Sequence, residues 1–376
     1  MFGAIRHQIR KSSTSAAIRN DWTREQIGKI YHMPLIELVF RAATVHRQFH
    51  DPRKIQQCTL LSIKTGGCTE DCKYCSQSSR YSTGVKASRL MKVEDIMEKA
   101  HIAKAKGSTR FCMGSAWRDL NGRTRTFKNI LEVIKQVRAL NMEVCVTLGM
   151  LDEHQAKDLK DAGLTAYNHN LDTSPEYYPK IISTRSYDER LNTIDNIRKA
   201  GIKVCSGGIL GLGEKEQDRI GLIHSLANMP SHPESVPINA LVPIPGTPIG
   251  DMVKKPVGFH SFLRAIATAR ICMPKTIIRF SAGRTQFSET EQVMAFMAGA
   301  NSVFTGEKML TTPSVTWDQD SQLFHKWGFH NLESFEYDEG AEEPNFTLPP
   351  KNRFRPDHAE ALKAARPQLE AQGLAM

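Results

Sequence analysis

The sequence predicts an α/β fold, a (β/α)8 TIM-type barrel set between an N-terminal helical segment and a C-terminal extension. Three observations lead there. Eight short apolar runs of strand character recur between residues 57 and 304. Stretches with helical periodicity separate them. Several of those stretches end in glycine just before the next strand, as at Ala162-Gly163 and Ala200-Gly201. Strands joined one to the next by helices build a parallel sheet, which closes as a barrel at eight strands. A doubly wound open sheet is the alternative that the pattern leaves standing.

Residues 1–20 carry Arg6, Arg10, Lys11 and Arg19, several Ser and Thr, and no acid. That is the composition of a mitochondrial transit peptide, against which stands a basic N-terminus of a bacterial cytoplasmic protein. Residues 21–56 read as an N-terminal helical segment ending near Asp51-Pro52. The barrel is expected over 57–310, with strands at 57–64, 109–114, 142–148, 164–169, 202–207, 235–241, 276–281 and 301–304. Helices are expected at 93–106, 127–140 and 187–200. In the second of these, Ile130, Val133, Ile134 and Val137 recur at the spacing of one helix face. Residues 311–376 read as a C-terminal extension, partly disordered, with acids at 338–343 and a proline-rich stretch at 348–356.

Composition narrows the function classes. Of 376 residues, 40% are hydrophobic and 24% charged, which excludes a disordered or fibrous chain. No run approaches the roughly 18 uninterrupted apolar residues of a membrane span, so no membrane partner is expected. The formal charge is +10, but four of those charges lie in the first 20 residues, leaving +6 for the rest. That excess is too small to argue for nucleic acid.

The eight cysteines say more. With no apolar signal-peptide core, a secreted disulfide framework is disfavoured, and the cysteines become candidates for ligands, nucleophiles or core filler. The sharpest pattern is Gly66-Gly67-Cys68-Thr69-Glu70-Asp71-Cys72-Lys73-Tyr74-Cys75, a C-x3-C-x2-C loop after the first strand. In a barrel that is the active-site face. Structural zinc takes four ligands, and no fourth Cys or His is near. A [4Fe-4S] cubane held by three thiolates keeps one iron open. Another iron–sulfur or zinc role remains possible from the spacing alone. The loop, its preceding glycines and Tyr74 resemble the radical S-adenosylmethionine (SAM) enzymes. That resemblance implies a [4Fe-4S] cluster on Cys68, Cys72 and Cys75, SAM chelated to the open iron, and a 5′-deoxyadenosyl radical. The segment Gly207-Gly208-Ile209-Leu210-Gly211-Leu212-Gly213-Glu214 is a weak dinucleotide fingerprint. It reads either as a tight strand–helix turn or, by the same resemblance, as a wall beside SAM.

Three more cysteines, Cys112, Cys145 and Cys205, fall in three separate candidate strands. Strand parity sets Val144, Val146 and Leu148 on one face and Glu143, Cys145 and Thr147 on the other, and Cys205 likewise opposes Ile202 and Val204. The apolar face meets the helices, so the cysteines point into the barrel, either as small core residues or as ligands of a second cluster. Arg279 shares the inward parity. A guanidinium is normally protonated and accepts nothing, which argues against it as a metal ligand and for a buried ion pair.

Stretches along the core are similar to the biotin synthase family. They are residues 62–68 (Ser-Ile-Lys-Thr-Gly-Gly-Cys), 107–114 (Gly-Ser-Thr-Arg-Phe-Cys-Met-Gly), 167–173 (Tyr-Asn-His-Asn-Leu-Asp-Thr), 204–208, 237–239 and 281–284. The likeness runs from about residue 22 to 330. By position it implies that Cys112, Cys145, Cys205 and Arg279 hold a [2Fe-2S] cluster. It implies that Tyr74, Asn170, Asp172 and Arg190 lie near SAM, and that Lys64, Asn168 and Asn239 surround dethiobiotin. Structural capping at strand ends is the plainer role for these polar residues. The reaction implied is the last step of biotin biosynthesis, with the second cluster as sulfur donor. An electron donor of ferredoxin or flavodoxin type, the iron–sulfur assembly machinery and a homodimer are implied with it. Cys58 and Cys272 have no role in the family and read as filler. Around the loop, Gly67, Thr69 and Ser76 stand where bacterial members commonly have alanine or proline, which favours a eukaryotic enzyme and so supports the transit reading.

Overall fold

A computed structural model describes residues 18–335 except residue 254. Two helices, α1 (Arg24–Tyr31) and α2 (Leu35–Phe49), precede the alternating part. That part runs β1 (Lys54–Lys64), α3 (Val93–Ala105), β2 (Arg110–Ser115), α4 (Thr124–Ala139), β3 (Glu143–Thr147), α5 (Glu153–Asp161) and β4 (Ala166–Asn168). It continues α6 (Tyr178–Ile181), α7 (Tyr187–Lys199), β5 (Lys203–Cys205), β6 (Gly208–Leu210), α8 (Glu216–Ala227), β7 (Ser235–Ala240), α9 (Pro248–Met252) and α10 (Phe259–Cys272). It ends β8 (Ile277–Phe280), α11 (Glu289–Met297), β9 (Ser302–Phe304) and α12 (Trp317–Trp327). The strands pair in parallel from β1 to β5, then β7, β8 and β9, and β9 returns to β1. The sheet therefore closes as a barrel, and the open-sheet alternative falls away.

Local chemistry sets the ends of the elements. Capping boxes start α5 at Asp152, α7 at Ser186, α11 at Ser288 and α12 at Thr316, each satisfying otherwise orphaned N–H groups. On α4 the residues Phe127, Ile130, Val133, Ile134 and Val137 form one buried stripe. The two faces of the barrel strands then separate. Phe111, Val144, Val146, Tyr167, Val204, Ile278 and Val303 join the apolar layer beneath the helices. Cys58, Cys112, Cys145, Ala166 and Cys205 form a distinct cluster. The inward parity of the cysteines is thus the observed one.

One strand differs from expectation. The fifth run, expected as 202–207 followed by a glycine turn, is broken in two. β5 meets β7 only through Cys205 opposite Ser235, and β6 resumes against Ile238–Ala240 of β7. Gly207 lies at the break, where a Cβ would stand 1.9 Å from the Pro237 carbonyl oxygen, so no larger residue fits. Part of the presumed turn is therefore strand.

β1 begins at Lys54, three residues before the expected start. The boundary drawn at 311 also moves. Residues beyond it remain on the barrel: α12 is tied through Asp320 to Arg284 (Nη1 to Oδ2, 3.2 Å), and Arg284 Nε donates to Gln292 at 3.0 Å. Removing one partner of such a buried pair costs about 3–5 kcal/mol, because the other charge is left unpaired. Beyond the helix, His330 and Asn331 pair with Lys54 and Ile55 at the edge of β1, and Leu332 is buried. Leu323, Phe324 and Leu332 are the apolar residues this segment buries, beside the paired Asp320. The acidic and proline-rich stretches lie outside the described residues. So do residues 1–17 of the expected transit peptide, but its last residues are seated: Asn20 Nδ2 donates to the Pro230 carbonyl at 3.0 Å, and the Arg19 carbonyl meets His232 Nε2 at 3.0 Å.

Candidate functional site

The cysteine loop leaves the C-terminal end of β1 and folds back on itself. Cys68 N donates to Gln77 O (2.9 Å), Ser79 N to Cys68 O (2.7 Å), and Cys75 N to Cys72 O (2.9 Å). Asp71 fastens it to the segment after α6, its Oδ1 accepting from the backbone N–H groups of Ser183 (2.9 Å) and Thr184 (3.1 Å). Burial pushes the Asp71 carboxyl up, but these bonds and the two hydroxyls outweigh it and hold the group down at about 2. Lys73 N donates to Ile181 O, and Ile249 N of α9 donates to Lys73 O. The backbone between the thiols is therefore fixed from both sides. Cys72 is buried and Cys68 and Cys75 half-buried. Burial raises all three thiols, Cys75 to about 11. Among the described residues, no three His, Cys, Asp or Glu side chains close on a single metal ion. Three Cys with no fourth Cys or His beside them suit a cubane that keeps one iron open better than four-coordinate structural zinc.

The second set lies inside the barrel. Cys112 and Cys145 are opposite one another on β2 and β3, and Cys205 lies opposite Asn168 on β4. The thiols interact in a row, Cys58 with Cys112, Cys112 with Cys145 and Cys145 with Cys205. Arg279 is 1% exposed. Its Nη1 faces Cys205 Sγ at 3.5 Å, its Nη2 donates to Gln56 Oε1 at 3.1 Å and its Nε to Ser302 Oγ at 3.0 Å. Among the described residues no carboxylate pairs with it, contrary to the buried ion pair that general chemistry favours. The hydrogen bond from Cys145 outweighs burial and, with Arg279, draws the Cys205 thiol down to about 5. Arg110, paired with Glu143 at 2.5 Å, keeps its Nη1 buried without a partner, beside Cys58, Cys112 and Cys145. An orphaned N–H next to a ring of sulfur donors lacks an anionic acceptor. The sulfides of a [2Fe-2S] cluster supply one, so the residues fit that group.

The polar residues fall into two networks. Asp172 Oδ2 accepts from Tyr74 OH at 2.7 Å and from Arg190 Nη2 at 2.5 Å, and Arg190 Nε donates to Tyr178 OH at 2.8 Å. Asp172 holds φ 67°, a left-handed backbone that Asp tolerates, and pairs by main chain with Gly207 and Ile209. In the second network, Asn168 Nδ2 reaches Cys205 Sγ (3.4 Å) and Asn170 Oδ1 (3.1 Å), and Asn170 Oδ1 also accepts from Gly207 N. Lys64 Nζ donates to the carbonyls of Gly66 and Ala116, and Asn239 joins Gly208 O to Ala282 N. Lys64 and Asn239 thus brace strand ends, separate from both networks. Sequence reasoning missed Tyr178, Gln56, Ser302, Arg110 and Cys58. Inward parity on β1 was the one signal that could have found Gln56 and Cys58.

An eight-stranded parallel barrel with a three-cysteine loop after β1 defines a class, the radical SAM enzymes, and the pattern of the Radical SAM superfamily matches residues 62–226. That of the Biotin and Thiamin Synthesis associated domain matches 237–330. Solved structures share the fold. Methylornithine synthase aligns with TM-score 0.70 at 19% identity, covering 83% of this chain and 94% of that one. The FeFe-hydrogenase maturase HydG from Carboxydothermus hydrogenoformans aligns with TM-score 0.71 at 17% identity, covering 86% and 78%. The chain belongs to the biotin synthase family. It is 75% identical over 354 residues to the biotin synthase of Schizosaccharomyces pombe, covering 94% of this chain and 98% of that one. It is 57% identical to the mitochondrial biotin synthase of Emericella nidulans (96% and 91% covered) and 61% identical to that of Arabidopsis thaliana (82% and 82%).

Proposed function

We propose that this chain converts dethiobiotin to biotin by inserting sulfur between two unactivated carbons, using two iron–sulfur clusters. The observation that carries this reading is the second set of donors, Cys112, Cys145, Cys205 and Arg279, inside the barrel and separate from the loop of Cys68, Cys72 and Cys75. A radical SAM enzyme that only abstracts hydrogen needs the loop alone. When bound, the loop cluster and SAM supply a 5′-deoxyadenosyl radical able to take hydrogen from a C–H bond that acid–base chemistry cannot ionise. The chain's own residues do the positioning. Asp71 and Lys73 fix the loop. Tyr74, Asp172 and Arg190 hold one another as a wall for SAM, and Asn170 joins that wall through the Arg190 bond to its carbonyl. Asn168 ties the Cys205 sulfur to the strand end, where an amide that both donates and accepts suits the ureido ring of dethiobiotin. Lys64 and Asn239 brace the same mouth. Reduction comes from a ferredoxin- or flavodoxin-type donor, the clusters come from the assembly machinery, and the working unit is a homodimer.

Anaerobic iron and labile-sulfide analysis with an ultraviolet–visible spectrum tests the reading. Two cluster types per chain are expected. One equivalent of zinc and no sulfide overturns it.

We place the protein in mitochondria, on the basic, acid-free character of residues 1–20 and on relatives that bear that designation. Arg19 and Asn20 sit on the barrel. Residues 1–30 fused to a fluorescent protein are expected to reach mitochondria, and changing Arg6, Arg10 and Lys11 together to Glu abolishes the targeting. Diffuse cytosolic fluorescence from the unaltered fusion overturns the assignment.

A further inference from the structure

Cys58 has no part in the chemistry above. It is 0% exposed, and it lies in the same inner cluster as Cys112, Cys145 and Cys205 rather than in the apolar layer under the helices. On β1 it shares parity with Gln56, so both side chains point into the barrel. Its surroundings are polar. Cys58 Sγ lies 3.5 Å from Gln56 Oε1 and 3.6 Å from Ser302 Oγ. Those two oxygens also receive Arg279, at 3.1 and 3.0 Å. Cys58 and Arg279 are therefore neighbours that share both partners. Cys58 also interacts with the Cys112 thiol, the first of the three sulfur donors. Space-filling alone does not account for this placement. Cys272, also 0% exposed, belongs to the apolar layer with the helix residues, as filler does.

We propose that Cys58 is a reserve iron ligand of the [2Fe-2S] site, able to take the coordination position held by Arg279. The inference rests on the reading that Cys112, Cys145, Cys205 and Arg279 hold that cluster. Chemistry favours the exchange once the position opens. Thiolate is the ordinary protein ligand of iron in such clusters. A guanidine binds only while it lacks a proton, which it strongly attracts. The exchange balances within the site: the iron–nitrogen bond to Arg279 breaks, an iron–sulfur bond to Cys58 forms, and the Cys58 thiol proton ends on the Arg279 guanidine. No electron moves and no co-reactant is needed. The site thus holds four thiols and one guanidinium for the four ligand positions of a two-iron cluster.

The test compares Arg279→Ala, Cys58→Val and the double variant with the wild-type protein, each reconstituted anaerobically. Iron and sulfide content and Mössbauer spectra are read for both clusters. The loop cluster reports whether each variant is folded, and valine keeps the volume at residue 58. Cys58→Val is expected to keep the wild-type spectrum of the second cluster. Arg279→Ala is expected to keep the second cluster with a shifted, all-thiolate spectrum. The double variant is expected to keep the loop cluster and lose most of the second. Equal content and identical spectra of the second cluster in Arg279→Ala and the double variant overturn the proposal. A wild-type protein with a loop cluster alone strikes instead at the two-cluster reading, so the two failures are distinct.

Discussion

Replacing Cys72 by alanine is expected to abolish 5′-deoxyadenosine formation from SAM, even with a strong chemical reductant. The loop offers three thiols, and Cys72 is the most buried of them. Two remaining ligands cannot keep a cubane whose fourth position must stay open for SAM. The loss is chemical and not a loss of fold. The backbone on either side of residue 72 is held by Asp71 on Ser183 and Thr184, by Lys73 on Ile181, and by Ile249 on Lys73, none of which involves the thiol. The Cys112–Cys145–Cys205 set lies on other strands and is expected to keep its cluster. The assay is anaerobic, with 5′-deoxyadenosine and methionine separated by chromatography and both clusters quantified. SAM cleavage at the wild-type rate by Cys72→Ala would show that the loop is not where SAM is cleaved.

What could be read without the structure was whatever repeats locally. Period-two parity and glycine-ended helices placed all eight strands and pointed Cys112, Cys145 and Cys205 inward, because those signals live within five or six residues. What could not be read depends on which strands become neighbours when the barrel closes. Gln56 and Arg279 are separated by 223 positions and meet only because β9 lies between β8 and β1. The same closure turns Cys58 from an isolated cysteine into part of the sulfur cluster. The pairing of Asp172 with Arg190 was hidden for a similar reason. The resemblance set both near SAM without joining them, whereas Asp172, at a left-handed turn, accepts from the Arg190 guanidinium. The break after Cys205 follows from the close approach of Pro237, which no pattern in residues 202–214 discloses. Arg279 as a ligand runs against general chemistry. The sequence resemblance suggested it, and among the described residues no carboxylate claims the group.

The two clusters have different jobs, so removing the second is expected to uncouple SAM cleavage from biotin formation. Cys145 is buried inside the barrel, between Cys112 and Cys205. Cys145→Ser takes one thiolate from the [2Fe-2S] site and leaves Cys68, Cys72 and Cys75 in place. The variant is expected to keep the [4Fe-4S] spectrum and to form 5′-deoxyadenosine when dethiobiotin is present. It is expected to yield little or no biotin, because no sulfide is poised to meet the substrate carbon. A purely structural Cys145 leads to another result. A hydroxyl buried in place of a thiol would cost on the order of 1–3 kcal/mol of stability, with biotin formed per folded molecule nearly unchanged. Urea unfolding of the cluster-free variant measures the first quantity. Biotin and 5′-deoxyadenosine from one anaerobic reaction, with both clusters counted by Mössbauer spectroscopy, measure the second. A normal biotin yield from a Cys145→Ser protein that lacks the second cluster would remove that cluster as the sulfur source, while SAM cleavage at the loop would stand.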